Sequence, residues 1–181
     1  MDSNGIIPDV VDFVPEKIAT VTYPSGVIVE PGKELTPTQV KDIPNITWDA
    51  ESDGIYAVLM VDPDGPSREN PIYREFLHWS ICNIPGNDLS KGQTLFEYIG
   101  AGPSNGTGLH RYIFWVFKQP AAYPTDQFVS KTTIEGRANI KTRDYVTKFN
   151  LGNPVAGNYF LAQYDEYVDT LQASLKTTEI K

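Results

Sequence analysis

Apolar residues in this chain come in short dense runs cut by glycine and proline, rather than in long periodic stretches. Ala19 to Tyr23 alternates and breaks at Pro24-Ser25-Gly26, after which Val27 to Val29 resumes; the pattern predicts a hairpin. Asn45 to Trp48 is a weaker strand. Tyr56 to Val61, His78 to Ile84 and Arg111 to Phe117 are apolar almost throughout, as expected of strands in the middle of a sheet covered on both faces. Asn158 to Tyr164 is the last strand. Beyond Asp165 the period changes: Tyr167, Val168, Leu171 and Leu175 fall at helical spacing among charged residues, which predicts an amphipathic helix packing its stripe on the sheets. Arg143, Tyr145 and Phe149 predict a shorter helix stopped by Gly152. The architecture expected is mainly β, with helices toward the C-terminal end.

A length of 181 residues suits one domain, 1–181, with a core that needs no disulfide or metal. Fifteen basic residues against 23 acidic ones leave a formal net charge of −8. Such a surface repels nucleic acid and anionic membranes, so any phosphate recognition has to be a local site working against the global field. Cys82 is the only cysteine and sits in an apolar run, where a thiol acts as a small hydrophobe. With no disulfide possible within the chain, no signal-like N-terminus and no run of 18 apolar residues, a monomer in the cytoplasm is expected, without integral membrane contact.

The chemistry-bearing residues gather at strand ends. The two histidines open buried runs: His78 begins His-Trp-Ser-Ile-Cys-Asn-Ile and His110 begins His-Arg-Tyr-Ile-Phe-Trp-Val. Asp62 closes a third run. If these ends are neighbours, a carboxylate, two imidazoles and the Tyr112 phenol share one edge of the sheet, where they need a ligand or each other. A purely structural Asp–His hydrogen bond is the alternative. Two stiff loops flank them. Asp62-Pro63-Asp64-Gly65-Pro66-Ser67-Arg68 is preset by its prolines, and the stretch Gly100 to Gly108 carries four further glycines and can bring backbone N–H groups up to an anion. Enzyme and metal readings fare worse. Gly102-Pro103-Ser104-Asn105-Gly106 matches a nucleophile elbow, but a β run rather than a helix follows and no acid lies between Ser104 and His110. Asp62-x-Asp64-Gly65 fails as a calcium loop because Tyr73 stands where a glutamate is needed. Two histidines and one buried cysteine do not make a zinc site, and no Gly-Lys-Ser/Thr ending marks a P-loop. No cofactor is expected.

The blocks Asp62-Pro63-Asp64-Gly65-Pro66-Ser67-Arg68, Tyr73-Arg74-Glu75-Phe76-Leu77-His78-Trp79 and Gly106-Thr107-Gly108-Leu109-His110-Arg111-Tyr112 resemble the signature blocks of the phosphatidylethanolamine-binding protein family, which includes the Raf kinase inhibitor protein. The likeness runs from Ile7 to Asn158, and the tail from Gln163 to Val168 is similar to the animal branch. The resemblance implies a large central antiparallel sheet with a smaller sheet on one side and helices, the C-terminal one included, on the other. It implies a pocket for phosphate, phosphoethanolamine or similar anions, lined by Asp62, His78, His110 and Tyr112, walled by Phe76, Gly102, Pro103 and Gly108, with Leu175 offered from the last helix and Asp64, Arg68 and Arg111 bracing the loops. It also implies regulatory binding rather than catalysis: phospholipid headgroups, inhibition of a protein kinase by contact, or inhibition of a serine protease. Two departures stand out. Gln172 replaces a tyrosine common beside the pocket, predicting a more open or polar rim, and Ser104 replaces a second proline, predicting a looser loop.

Overall fold

A computed structural model describes residues 4–15 and 17–175. Its elements are α1 (Ile6–Asp9), β1 (Lys17–Ile18), β2 (Thr20–Thr22), β3 (Asn45–Thr47), β4 (Ile55–Asp62), β5 (Phe76–Pro85), β6 (Gln93–Phe96), β7 (His110–Gln119), α2 (Thr142–Phe149), β8 (Ala156–Ala162) and α3 (Tyr167–Ser174). Six strands form the central sheet in the order β1-β8-β7-β4-β5-β6, antiparallel except for the parallel β1–β8 edge, and β2 and β3 pair as a separate small sheet. The three apolar runs become β4, β5 and β7, with β4 paired on both sides. Its alternate side chains serve two cores. Tyr56, Val58 and Met60 pack toward the small sheet with Val21, Ile46 and Phe160. Ala57, Leu59 and Val61 pack on the opposite face with Ile6, Trp115 and Tyr159. A strand buried on both faces has no polar alternation to show, and this is why the sequence runs are continuous.

Several boundaries differ from expectation, each for a local reason. Val27 to Val29 does not form a strand of its own; it meets β2 through an isolated Thr22–Ile28 bridge. The last strand runs Ala156–Ala162, so Gln163 and Tyr164 already belong to the turn into α3. α2 is stopped by Asn150 rather than Gly152: Asn150 sits in the left-handed region at φ 51° and its N–H returns to the carbonyls of Thr147 and Val146. β6 pairs at the free edge of β5 and carries no strong apolar run to announce it.

The two longer helices do not share a face. Val146 and Phe149 of α2 pack on the cluster away from the small sheet. α3 instead buries only Val168 and Leu171, against loops rather than strands. Asp165 accepts the Thr38 backbone N–H at 2.9 Å and its hydroxyl at 2.7 Å, the Lys41 ammonium stands 6.0 Å above the Tyr167 ring, and a methyl placed at Gly102 would come within 2.9 Å of Leu171 Cδ2. Val40 and Ala101, in those loops, belong to the small-sheet core, so α3 closes that side at the end where β4 finishes.

The N-terminus of α2 is held by a buried acid. Both Glu75 carboxyl oxygens accept the Thr142 N–H at 3.1 Å, and one also accepts the Thr142 hydroxyl. Burial, only partly offset by these bonds, raises the Glu75 pKa from its ordinary 4.5 to about 7. Below pH 4.5 the group is protonated folded or unfolded, and the folded state has its full advantage. Between pH 4.5 and 7 the unfolded chain gives up the proton first, so this contribution to stability falls as pH rises. Glu75→Gln is expected to flatten that slope, read as a smaller difference in urea midpoint between pH 4.5 and pH 7.5 than in the wild type.

Candidate functional site

Antiparallel pairing brings the end of β4 beside the beginnings of β5 and β7: Asp62 is opposite Phe76, and Val61 is opposite Ile113. Face follows from parity. Asp62 is two residues beyond Met60, and His110 and Tyr112 precede Phe114 by four and two, so all three lie on the small-sheet face. His78 reaches that face by another device. Met60 pairs with Trp79 while Val61 pairs with Leu77, which leaves His78 as an extra residue in a β-bulge. Leu77 and Trp79 consequently enter opposite cores, and the His78 ring meets Tyr112 edge-on with centroids 5.2 Å apart. The His110 ring lies nearly parallel to Tyr112 at 6.4 Å. One cavity is the result.

Hydrogen bonds fix the protonation of both rings. His110 Nδ1–H donates to Asp62 Oδ2 at 2.8 Å. The Thr107 hydroxyl spends its proton on the Ser104 carbonyl at 2.7 Å, so at 2.9 Å it accepts from His110 Nε2–H. With both nitrogens donating, His110 is an imidazolium paired to a carboxylate. Burial works against that charge, but the bond to Asp62 and the Asp62 and Asp64 charges outweigh it and raise the pKa. His78 is the reverse case. Its Nδ1–H donates to the Ile99 carbonyl at 2.8 Å, and burial, opposed by the Asp62 charge, lowers its pKa to about 4. The ring is neutral at pH 7 and Nε2 carries a lone pair. The Tyr112 hydroxyl is fully buried, with the Gly102 backbone and the Asp62 carboxylate as its polar neighbours. Burial and then the Asp62 charge hold its pKa far above the usual phenol range.

These groups line a cleft of about 280 Å³, headgroup-sized and just below the range that takes drug-sized ligands. Of the residues singled out from sequence, Asp62, Phe76, His78, Gly102, His110, Tyr112 and Leu175 line it. Pro103 is buried outside its lining, and Gly108 borders an adjacent depression with Arg68 and Thr107. Ile99 and Ile134 add walls that no motif indicated, and Pro66, Tyr73 and Leu171, which lie within the quoted blocks and the helical stripe, add walls that were not singled out. Thr107 was also passed over, although it lies within the Gly106-Thr107-Gly108 block; a hydroxyl three residues before a strand-opening histidine was the available signal. The two rim departures meet one another, because Gln172 Nε2 donates to Ser104 Oγ at 3.1 Å and ties α3 to the glycine loop. Ser104 is therefore engaged by the helix, while the His110 ring is engaged by Asp62 and Thr107.

Behind the cleft, Arg111 donates from Nη2 to Asp64 Oδ1 at 2.7 Å and from Nε to Oδ2 at 2.9 Å, both side chains fully buried. Its Nη1 reaches the carbonyls of Asn4 and Gly5 and the Asp9 carboxylate, each at 2.9 Å. Arg68 adds a bond to the Asn4 carbonyl at 2.6 Å. Among the described residues no group of three or more His, Cys, Asp or Glu side chains could hold a metal ion, and no helix is long and apolar enough to cross a membrane.

Two outcomes follow from this geometry. Asp62→Asn removes the partner charge but leaves His110 buried, so its pKa is expected to drop below the ordinary 6.5; an NMR pH titration of the ring reads the shift. Asp64→Asn leaves a buried guanidinium short of its main counter-charge and is expected to cost about 3–5 kcal/mol in denaturant unfolding.

The pattern of the family described as Phosphatidylethanolamine-binding protein matches residues 25–168. A Drosophila melanogaster protein named "Putative odorant-binding protein A5" is 37% identical over 176 residues, covering 97% of this chain and 84% of that one. The solution structure of CG7054 is 45% identical with a TM-score of 0.78, over 95% of this chain and 98% of the other. A carboxypeptidase Y inhibitor, in a crystal structure with its cognate proteinase, is 26% identical with a TM-score of 0.76, over 90% of this chain and 92% of the other. Sequence and fold agree along nearly the whole chain, which therefore belongs to the phosphatidylethanolamine-binding protein family.

Proposed function

We propose that the cleft binds a small phosphate-bearing ligand (inorganic phosphate, phosphoethanolamine or a phospholipid headgroup) and that the chain acts as a cytoplasmic regulatory binding protein rather than an enzyme. The observation that carries this reading is the convergence of Asp62, His78, His110 and Tyr112, from the ends of three strands, on one cleft. The Gly100 and Gly102 backbones at the wall suit close approach of an anion. Binding rather than catalysis is favoured because both His110 nitrogens already donate, so the ring has no lone pair with which to act as a base. A headgroup alone should bind weakly, having few atoms to contribute. Tighter engagement comes from a protein partner meeting the rim, and contact inhibition of a protein kinase is the role we assign to it. Cys82, buried and with its pKa raised by that burial, suits a reducing compartment.

Inhibition of a serine protease is the second reading, favoured by the likeness to the carboxypeptidase Y inhibitor. Here a loop or the N-terminal segment would enter the protease cleft. Inhibition assays over a serine-protease panel that includes carboxypeptidase Y separate the two: inhibition independent of Tyr112 and His78 supports the second reading alone.

Titration with inorganic phosphate and with phosphoethanolamine, followed by NMR, is expected to shift His78 and His110 ring signals first, and Tyr112→Phe is expected to weaken binding several-fold. Shifts centred elsewhere on the molecule would remove the proposal.

A further inference from the structure

We propose that Arg137 is the positioning residue of the cleft: its guanidinium fixes the β-bulge that carries the His78 ring in among Asp62, His110 and Tyr112. This rests on the phosphate-site reading above for what the ring does there, and on geometry for what holds it. Arg137 lies in the segment before α2 and does not line the cleft itself.

Its side chain is completely buried, and its hydrogen bonds go to main-chain carbonyls. Nε donates to Thr133 at 2.8 Å, Nη2 to Glu97 at 2.9 Å and to Ser130 at 3.0 Å, and Nη1 to Leu77 at 3.1 Å and to His78 at 3.2 Å. Burial, opposed by the Glu97 charge, lowers its pKa to about 10, so the group stays charged at pH 7. A buried charge persists only where hydrogen bonds replace its water. Here those bonds join β5, the end of β6 and the loop before α2, and they set the course of the backbone.

One nitrogen, Nη1, serves two consecutive residues. In a regular antiparallel strand successive carbonyls point to opposite edges, beyond the reach of a single donor. Leu77 and His78 present theirs to the same edge because His78 is the residue left over when Met60 pairs with Trp79 and Val61 with Leu77. That edge is occupied on both sides of the bulge: Leu77 N–H donates to the Arg137 carbonyl at 2.8 Å, and the His78 carbonyl also accepts the Ile99 N–H at 2.9 Å. Arg137 therefore favours the bulged strand over the regular one. The ring follows the backbone, with Nδ1–H donating to the Ile99 carbonyl at 2.8 Å. A one-residue slip would turn it to the other face. Asp62 stands on β4, and His110 and Tyr112 on β7, where no Arg137 bond reaches, so the effect is confined to His78.

The test compares the wild type with Arg137→Lys, which keeps the cation but replaces the planar fork by one ammonium. A denaturant transition first shows that each protein is folded. Nuclear Overhauser contacts between the His78 and Tyr112 rings are expected in the wild type and lost in the variant. The His78 pKa is expected to rise from about 4 toward the ordinary 6.5, while the His110 titration stays as it is. Affinity for inorganic phosphate is expected to fall several-fold, with no further fall when Arg137→Lys is added to His78→Ala, because Arg137 acts through that ring. A folded variant with His78 contacts and titration unchanged overturns the proposal, as does an equal affinity loss in the His78→Ala background. In the unaltered protein, scalar couplings across the hydrogen bonds are expected from Arg137 Nη1 to the carbonyl carbons of both Leu77 and His78. Coupling to one alone, or to neither, overturns the proposal even where the lysine variant does not fold. Phosphate that shifts none of His78, His110 and Tyr112 in the wild type removes the phosphate-site reading instead, and the ring contacts then decide the role of Arg137 by themselves.

Discussion

Two consecutive residues of β7 and two aspartates of one loop organise this end of the molecule. His110 and Arg111 point to opposite faces of the sheet, as neighbours in a strand must, and each takes one carboxylate. Asp62 pairs with His110 on the cleft side, and Asp64 pairs with Arg111 on the far side. Pro63 between the aspartates limits the ways that loop can run. The buried Asp64–Arg111 pair gathers the N-terminal segment as well, through Asn4, Gly5 and Asp9. Buried pairs of this kind contribute little net stability compared with an apolar alternative, and their use is to admit only one arrangement. Here that arrangement sets the strand end on which the cleft is built.

The electrostatics of the cleft differ from those of the surface. The chain carries a net charge of −8, yet among the described residues the charged groups lining the cleft are one pair, Asp62 and His110. On the proposed reading, attraction over distance contributes little to ligand capture, and binding depends on short-range hydrogen bonds in a partly apolar space, where each has more effect than in water. Phe76, Ile99, Leu171 and Leu175 supply that space.

Much of this was legible in the sequence. Continuous apolar runs located β4, β5 and β7 because strands covered on both faces cannot alternate, and the ionisable residues at their ends fall together on one cleft. The bulge was not legible: His78 and Trp79 share a face through a register shift between β4 and β5 that exists only once the strands pair. The side on which α3 lies was not legible either, since its short stripe of Val168 and Leu171 fits a sheet or a loop equally well and the choice is made by Asp165, Lys41 and Gly102. Nothing in the sequence marks Glu75 as buried; the chain near Ile140 folds over it, with Glu75 and Ile140 exchanging backbone hydrogen bonds at 3.1 and 3.0 Å. The bond between Gln172 and Ser104 joins two positions 68 residues apart that sequence reading treated as separate weaknesses.

The extra residue in β5 has an implication for how such a protein can change. Removing His78 would restore regular pairing with β4 and keep Leu77 and Trp79 in their two cores, while the imidazole disappeared from the cavity. Insertions and deletions usually damage a central strand, but this one is offset against a deviation already present. The scaffold thus contains a one-codon route to a cavity that has lost one of its two imidazoles, with the pairing of the central strands made regular.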